Sequence, residues 1–312
     1  MRMPETIEGV RRYQHRAMAT VFELMIAGEE QSFADGAAVA AFEEIDRLEQ
    51  DLSRFLPNSD VSRLNNLPPD GSMRVGTDTF ECLRLALNYF KESVGAFDVT
   101  VGALMECWLA HDGSLRSASP EEIALASARK GMERIELDET SMSVRVRGVA
   151  PRIDLGAIGK GFGVDRAVDL LREWGVGAAL VHGGTSSAYA FGEYPLNAGG
   201  WPVTLGDPFR ADGVLESVLL QGMGIGGSGI SRRRHILDPR RGEPVSAWRA
   251  AWVVAESAAR SDALSTACMV MSRDEIASLI GRTGELRALI VGETPDTVFR
   301  FGFSDPAKPA TS

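Results

Sequence analysis

The sequence predicts an α+β fold of mostly antiparallel or mixed β-sheets with packed helices. β-like runs at 178–182, 186–191, 202–205, 214–220 and 250–255 follow one another without the regular helices of a doubly wound sheet. Apolar residues recur at helical spacing only in a few stretches, chiefly 36–52, 78–93, 161–174 and 257–272. No internal repeat or low-complexity linker divides the 312 residues. Residues 1–304 are therefore expected to form a single domain, with two intertwined α+β lobes as the alternative. The Pro- and Ala-rich stretch 305–312 is expected to fray.

Taken in order, residues 18–27 alternate as a strand. Phe42, Ile45, Leu48 and Leu52 then form one stripe of a helix over 36–52, and Phe80, Leu83, Leu87 and Phe90 another over 78–93. Segments 134–137 and 142–146 flank the polar loop 138–141 and read as a hairpin. A strand ending near Asp154 leads through a Gly-rich turn into a helix at 161–174. Val164, Ala167, Val168, Leu171 and Trp174 line one of its faces, and Gly175 stops it. A shorter helix at 273–281 and strands at 286–291 and 297–303 close the chain.

Composition narrows the function classes. Hydrophobic residues make up 44% and charged residues 24%, the balance of an ordinary globular chain. A net charge of −10 argues against a general footprint for nucleic acid or anionic lipid. No run reaches the ~18 apolar residues of a membrane span. Arg11, Arg12 and Arg16 before the apolar run 17–26 imitate a signal peptide, but Glu23 interrupts the run. The chain as given reads as cytoplasmic, or as periplasmic if an export signal has been removed. Cys82, Cys107 and Cys268 lack any metal or disulfide spacing and are expected to be reduced and structural.

Two glycine motifs match familiar spellings and fail on context. Gly224, Gly226 and Gly229 have the dinucleotide spacing, but no amphipathic helix follows to bring its N-terminus to a pyrophosphate. Gly156–Gly161 resembles a P-loop, yet the glycines are too close and Gly161 stands where a Ser or Thr belongs. Other segments keep two readings. On a helix over 257–272, Asp262, Ser265 and Thr266 share a face, which suits a hard cation such as Mg²⁺, although spacing alone favours a buried cap with back-bonded hydroxyls. Asp154 and Lys160 bracket a glycine-rich turn fit for an anionic ligand or for a surface ion pair. Asp238-Pro-Arg-Arg-Gly242 is a turn, so Asp238 is structural. His235 beside it is a candidate base or a core residue. Phe55 and Phe97 are either core packing or an aromatic wall for a planar ring.

Seven segments in order carry a resemblance: Met18-Ala-Thr20; Leu52-Ser-Arg-Phe55 with Ser59 to Asn65; Gly95-Ala-Phe-Asp98 with Thr100-Val-Gly102 and Trp108; Asp154-Leu-Gly-Ala157-Ile-Gly-Lys160; Val181-His-Gly-Gly184; His235-Ile-Leu-Asp-Pro239 with Gly242 and Pro244; and Ser261-Asp262-Ala-Leu-Ser-Thr266. Together they resemble the ApbE-type family of FAD:protein FMN transferases. The resemblance implies an ApbE-like, T-fold-related architecture. It also implies Mg²⁺-dependent transfer of FMN from FAD to a Thr or Ser hydroxyl of an acceptor protein, with release of AMP. It places Met18, Phe55, Ala96, Phe97, Asp98, Asp154, Lys160 and Leu237 on flavin-nucleotide positions. The carbonyl of Ala157, with Asp262, Ser265 and Thr266, falls on metal positions, and His235 on a histidine implicated in transfer.

The chain departs from the family pattern in places. Phe55 stands where tyrosine is common, Thr185 where an acidic or amide residue often follows the glycine pair, and Ser265 where some members have Asp. Gly229-Ile-Ser231 lacks the usual tyrosine. A Mg²⁺-dependent FAD pyrophosphatase giving FMN and AMP, or a non-catalytic FAD-binding protein, are the alternatives.

Overall fold

The structure, a computed structural model, describes residues 1, 9–110, 114–193, 199–230 and 236–303. The expected tail at 305–312 and His235 lie outside the described residues. A hairpin of β1 (Val10–Ala17) and β2 (Thr20–Ala27) opens the fold. Helices α1 (Gln31–Leu52) and α2 (Asp60–Asn65), strand β3 (Ser72–Arg74) and helices α3 (Thr77–Glu92), α4 (Gly102–Trp108) and α5 (Pro120–Ser127) follow. The hairpin β4 (Ile135–Asp138) and β5 (Ser143–Val146) precedes α6 (Gly159–Glu173). Then come β6 (Ala178–Gly183), β7 (Ser187–Phe191), β8 (Trp201–Gly206), β9 (Val214–Leu220), β10 (Met223–Gly229), β11 (Leu237–Asp238), β12 (Glu243–Pro244) and β13 (Ala250–Ala255). Helices α7 (Ala258–Val270) and α8 (Arg273–Thr283) and strands β14 (Arg287–Val291) and β15 (Val298–Phe301) complete it.

The fold is α+β, as expected. Eight strands form one sheet in the order β1-β2-β6-β7-β10-β13-β14-β15, and every neighbouring pair is antiparallel. Alternation along the strands sends side chains to two faces. On one face Phe22, Leu24, Ile26, Ala179 and Val181 pack under α1 and α6, whose Ala37, Ala41, Ile45, Val164 and Leu171 are all buried. Farther along that face Val253, Ala255, Ala288 and Ile290 meet the α7 residues Ala259, Ala263 and Ala267. The opposite face, with Met25, Leu180, Ile225 and Val254, is closed by Trp201, Val203, Leu205, Val218 and Leu220 of the β8–β9 hairpin. The three cysteines are free and buried.

The structure corrects several expectations. Residues before Asp154 form only a single parallel bridge, Val101 to Arg152, and not a strand. Helix α6 starts two residues earlier than expected, at Gly159. Helix α1 extends back to Gln31 because Gly36 is tolerated inside it; the Trp174 ring packs 3.2 Å from where its Cβ would be. Strand β1 escaped notice because polar and charged residues fill it from Arg11 to Arg16 and leave no apolar alternation. It is an edge strand that bears Arg11, Arg12, His15 and Arg16, with Arg12 paired to Glu23 at 2.8 Å and His15 to Asp46 at 2.7 Å.

Strand β10 was missed because it is half glycine. Gly224, Gly226 and Ser228 share one face, and α7 lies directly on it. A Cβ at Gly226 would stand 2.2 Å from the Ser261 carbonyl, and one at Gly224 2.6 Å from the Ala258 nitrogen. Gly226→Ala is expected to lose about 3 kcal/mol of stability by overpacking. Gly281→Ala, on exposed α8 with nothing within 4 Å of its Cβ position, is expected to gain about 0.5–1 kcal/mol. Urea midpoints check both, and an unchanged Gly226→Ala midpoint contradicts the close approach.

His182, in β6, is buried, and among the described residues its Nε2 has no partner. Burial, then the N-terminal ammonium and Arg12, push its pKa down from 6.5 to about 3. The native state therefore binds fewer protons than the unfolded chain between those values. The linked stability is complete above pH 6.5 and is lost as pH falls toward 3. His182→Gln is expected to flatten the fall of Tm between pH 6.5 and pH 4, relative to wild type, in a calorimetric pH series.

Candidate functional site

The acid-and-hydroxyl cluster forms where α6 and α7 cross. Asp262 is buried on α7, and its Oδ2 accepts the Gly161 N–H at 3.1 Å and lies 3.6 Å from Lys160 Nζ. Burial pushes its carboxyl above the usual range, while Lys160, the Gly161 N–H and Ser187 pull it back. Gly161 lies in the first turn of α6, where backbone N–H groups have no partner within the helix, and Asp262 supplies the missing acceptor. The Ala157 carbonyl, just before the Ile158 cap, accepts no backbone N–H among the described residues. Lys160 Nζ donates to the Gly156 carbonyl at 2.8 Å, which holds the turn tight.

One turn after Asp262, Ser265 and Thr266 meet β10. Ser228 Oγ stands 2.8 Å from Ser265 Oγ and 3.0 Å from Thr266 Oγ1. The two α7 hydroxyls also back-bond to the Asp262 carbonyl, at 2.9 Å from Ser265 and 3.4 Å from Thr266. Ser265 is wholly buried and its hydroxyl is committed to these partners, whereas Thr266 is partly open. The donors gathered here are one carboxylate, hydroxyls and a carbonyl. Among the described residues there is no group of three or more His, Cys, Asp or Glu placed to hold a metal. Hard oxygen donors of this kind fit Mg²⁺.

A second cluster is tied to the first through the 154–161 turn. Asp154 Oδ1 accepts the Gly156 N–H at 2.8 Å, and its Oδ2 meets Arg54 Nε at 2.8 Å. The Arg54 guanidinium lies 4.4 Å over the Phe55 ring, which is 75% exposed. Asn65 of α2 clamps the strand-like approach from both sides, bonding the Ile153 carbonyl at 2.9 Å and its N–H at 2.6 Å. The Asp154 N–H reaches the Val99 carbonyl at 2.7 Å and so attaches the 95–102 segment.

In that segment Asp98 accepts both the Thr100 N–H (2.7 Å) and its hydroxyl (2.6 Å). Its carboxyl is pushed up by burial and pulled back by Thr100 and Lys130. Ala96 and Phe97 are buried. Of the two readings kept for each ring, the 1% exposure of Phe97 favours core packing, whereas Phe55 keeps an open ring. Leu237 is buried against Leu104 and Cys107. Asp238 is structural, as expected, taking the Arg240 N–H at 2.8 Å within the turn that Gly242 closes. A cavity of about 350 Å³ brings Asp98, Lys130 and Gly131 together with Pro239 and Arg240.

Met18 and Ala19 both take positive φ (49° and 57°), an uncommon conformation for non-glycine residues, at the tip of the β1–β2 hairpin. The Met18 methyl lies 3.4 Å from the Cβ position of Gly163, so the turn leans on α6. A larger cavity of about 780 Å³ lies beside this turn, lined by Arg12, Arg16, Thr20, His182 and Thr185. It includes neither Asp154 nor Asp262, so the donor chemistry marks the site and cavity size does not. Arg54, Asn65, Ser187 and Ser228 were not singled out in the sequence. Ser228 was hidden in the rejected glycine motif, Arg54 and Asn65 in segments quoted for other residues, and Ser187 has no sequence signal.

The model of the ApbE family matches residues 18–290. A FAD:protein FMN transferase of Klebsiella pneumoniae (strain 342) is 29% identical over 226 residues, covering 69% of this chain and 68% of its own. That of Haemophilus influenzae is 27% identical over 254 residues, covering 75% and 73%. Among solved structures, Pseudomonas stutzeri flavinyl transferase ApbE in its apo form superposes with a TM-score of 0.81 at 26% identity, over 94% of each chain. The ApbE protein of Thermotoga maritima gives 0.83 at 26% identity, over 94% of this chain and 97% of its own. The matched span encloses every site segment described above, from the Met18 turn to Thr266, and the chain belongs to the ApbE family.

Proposed function

We propose that this chain transfers FMN from FAD to a threonine or serine hydroxyl of an acceptor protein, with Mg²⁺ as its metal and AMP as the leaving group. The observation that carries the reading is the capping of the Gly161 N–H by Asp262, which gathers a buried carboxylate, the Ala157 carbonyl and the Thr266 hydroxyl at one helix junction. Ala157, Asp262 and Thr266 would hold the cation, with Ser265 supporting them. When bound, Mg²⁺ neutralises charge on the pyrophosphate oxygens and eases departure of AMP. The names of the relatives support the same chemistry.

The chain's own residues do the rest. Lys160 and the first turn of α6 supply positive potential for phosphate oxygens. Phe55 offers its open face to a planar ring, and the Asp154 carboxylate fixes Arg54 beside it. The acceptor oxygen bonds to the FMN phosphorus as the bond to the AMP oxygen breaks, and the hydroxyl proton is given up to a base. His235, outside the described residues, is the proposed base; such a group typically contributes ~10²–10⁴-fold. The sum is FAD plus protein hydroxyl giving protein–FMN phosphoester, AMP and a proton.

The test is to incubate the protein with FAD, Mg²⁺ and a Thr-containing acceptor domain, then weigh the denatured acceptor. A mass gain of one FMN is expected. Free FMN with AMP would instead mean hydrolysis, and unchanged FAD mere binding. Asp262→Ala is expected to fold and to lose transfer together with its response to Mg²⁺; full activity in that variant would sink the metal assignment. Phe55→Ala, at an exposed position, is expected to leave stability within about 0.5 kcal/mol. It should weaken FAD binding about 2- to 10-fold in a fluorescence titration, the worth of one aromatic contact.

A further inference from the structure

The two helices that build the cradle are held in register by a carboxylate outside it. Asp165, on α6, aims at the start of α7: its Oδ1 accepts the Ala258 N–H at 2.7 Å and its Oδ2 the Ala259 N–H at 2.8 Å. Ser257 covers the next two groups, with its Oγ accepting the Arg260 N–H at 3.2 Å and its carbonyl the Ser261 N–H at 3.1 Å. The N–H groups of the first three helical residues, orphaned at any helix start, are thus all satisfied, two of them by a different helix, and the Ser261 bond is the first of the helix itself.

Local capping would have been cheaper. Asp165 is buried, and the charged neighbours that weigh on it, Asp169 and Glu256, share its sign. Burial and these neighbours hold its carboxyl up at about 7, against the pull of the two N–H groups. A buried carboxylate without a cation is costly to keep. Its position suggests what it is kept for. Asp165 falls one turn after Gly161 on the same face of α6. Gly161 grips α7 at Asp262, and Asp165 grips it one turn earlier, at Ala258 and Ala259. Between these grips the helices touch so closely that a Cβ on Gly161 would lie 2.3 Å from the Ala258 carbonyl oxygen. Any displacement of α7 at its first turn is therefore carried directly to Asp262 and Thr266.

We propose that Asp165 is a positioning residue: its two-oxygen grip on the first turn of α7 sets the spacing of α6 and α7, and with it the geometry of the cation cradle formed by Ala157, Asp262 and Thr266. This inference rests on the magnesium reading above. It acts through α7, so its effect is separable from helix capping alone.

Mn²⁺ is the probe, its binding to the free enzyme followed by the electron paramagnetic resonance of the unbound ion, without FAD or acceptor. Wild type is expected to bind Mn²⁺ that Mg²⁺ displaces. Asp165→Asn, with a single acceptor oxygen, is expected to bind it about 10–100-fold more weakly, the usual range for residues that orient metal ligands. It should lower kcat for FMN transfer while leaving KM for FAD nearly unchanged. Asp165→Glu keeps the charge and both oxygens but lengthens the arm, and should show the same loss of Mn²⁺ affinity with a smaller fall in Tm. Ser257→Ala removes the other cap of the same helix end and should lower Tm while leaving Mn²⁺ affinity at the wild-type value. Wild-type Mn²⁺ affinity in folded Asp165→Asn and Asp165→Glu, or an equal loss in Ser257→Ala, overturns the proposal. A wild-type protein that binds no Mn²⁺ overturns the magnesium reading itself, and this inference with it.

Discussion

The close seating of α7 between β10 and α6 is the constraint on which the site depends. On the β10 side the strand has no side chains at Gly224 and Gly226, and on the α6 side there is none at Gly161. Each of these glycines faces α7 backbone, not a movable side chain. Glycine in a strand or helix carries an entropic penalty of roughly 0.5–1 kcal/mol relative to alanine. Against that penalty stands the burial of nearly the whole of α7, with Ala258, Ala259, Ala263, Leu264 and Ala267 all inside. Ser228 is the first side chain on that face of β10 after the glycines. It meets Ser265 and Thr266 because nothing before it holds the helix away.

The electrostatics follow from this packing. A carboxylate as buried as Asp262 would favour its proton, and the groups that oppose this are all brought in by the two glycine contacts: the Gly161 amide, the Lys160 ammonium and the Ser187 hydroxyl. The hydrogen bond to Gly161 has a second effect, because it satisfies one of the N–H groups left without a partner at the start of α6. One interaction thus opposes the effect of burial on the carboxylate and caps the helix beside it.

Much of this was legible in the sequence, and the gaps have physical reasons. Helices α1, α3 and α6 announce themselves because each buries one stripe, and periodicity records burial. Strand β10 does not, since glycine has neither strand propensity nor a side chain to alternate; its glycines answer to a helix some thirty residues on. Asp262 and Thr266 stood out by spacing, but whether they capped a turn or faced a site depended on Ser228 and Gly161, which are remote in the chain. Phe55 and Phe97 were indistinguishable as aromatic residues in small-residue loops, and burial separates them. Asp165 looked like one more polar residue on an amphipathic helix, because its partners are backbone groups on another element.

The outer strand β1 has a further consequence. An open sheet offers its unpaired edge to any similar strand, including that of a second copy. Laid antiparallel about the Tyr13–Gln14 midpoint, two copies of β1 would set Arg11 opposite Arg16 at both ends of the pairing. Like charges directly opposite repel, most strongly in dilute salt. Edge-to-edge stacking through this strand is therefore disfavoured, and crowding in concentrated solution would have to find another contact.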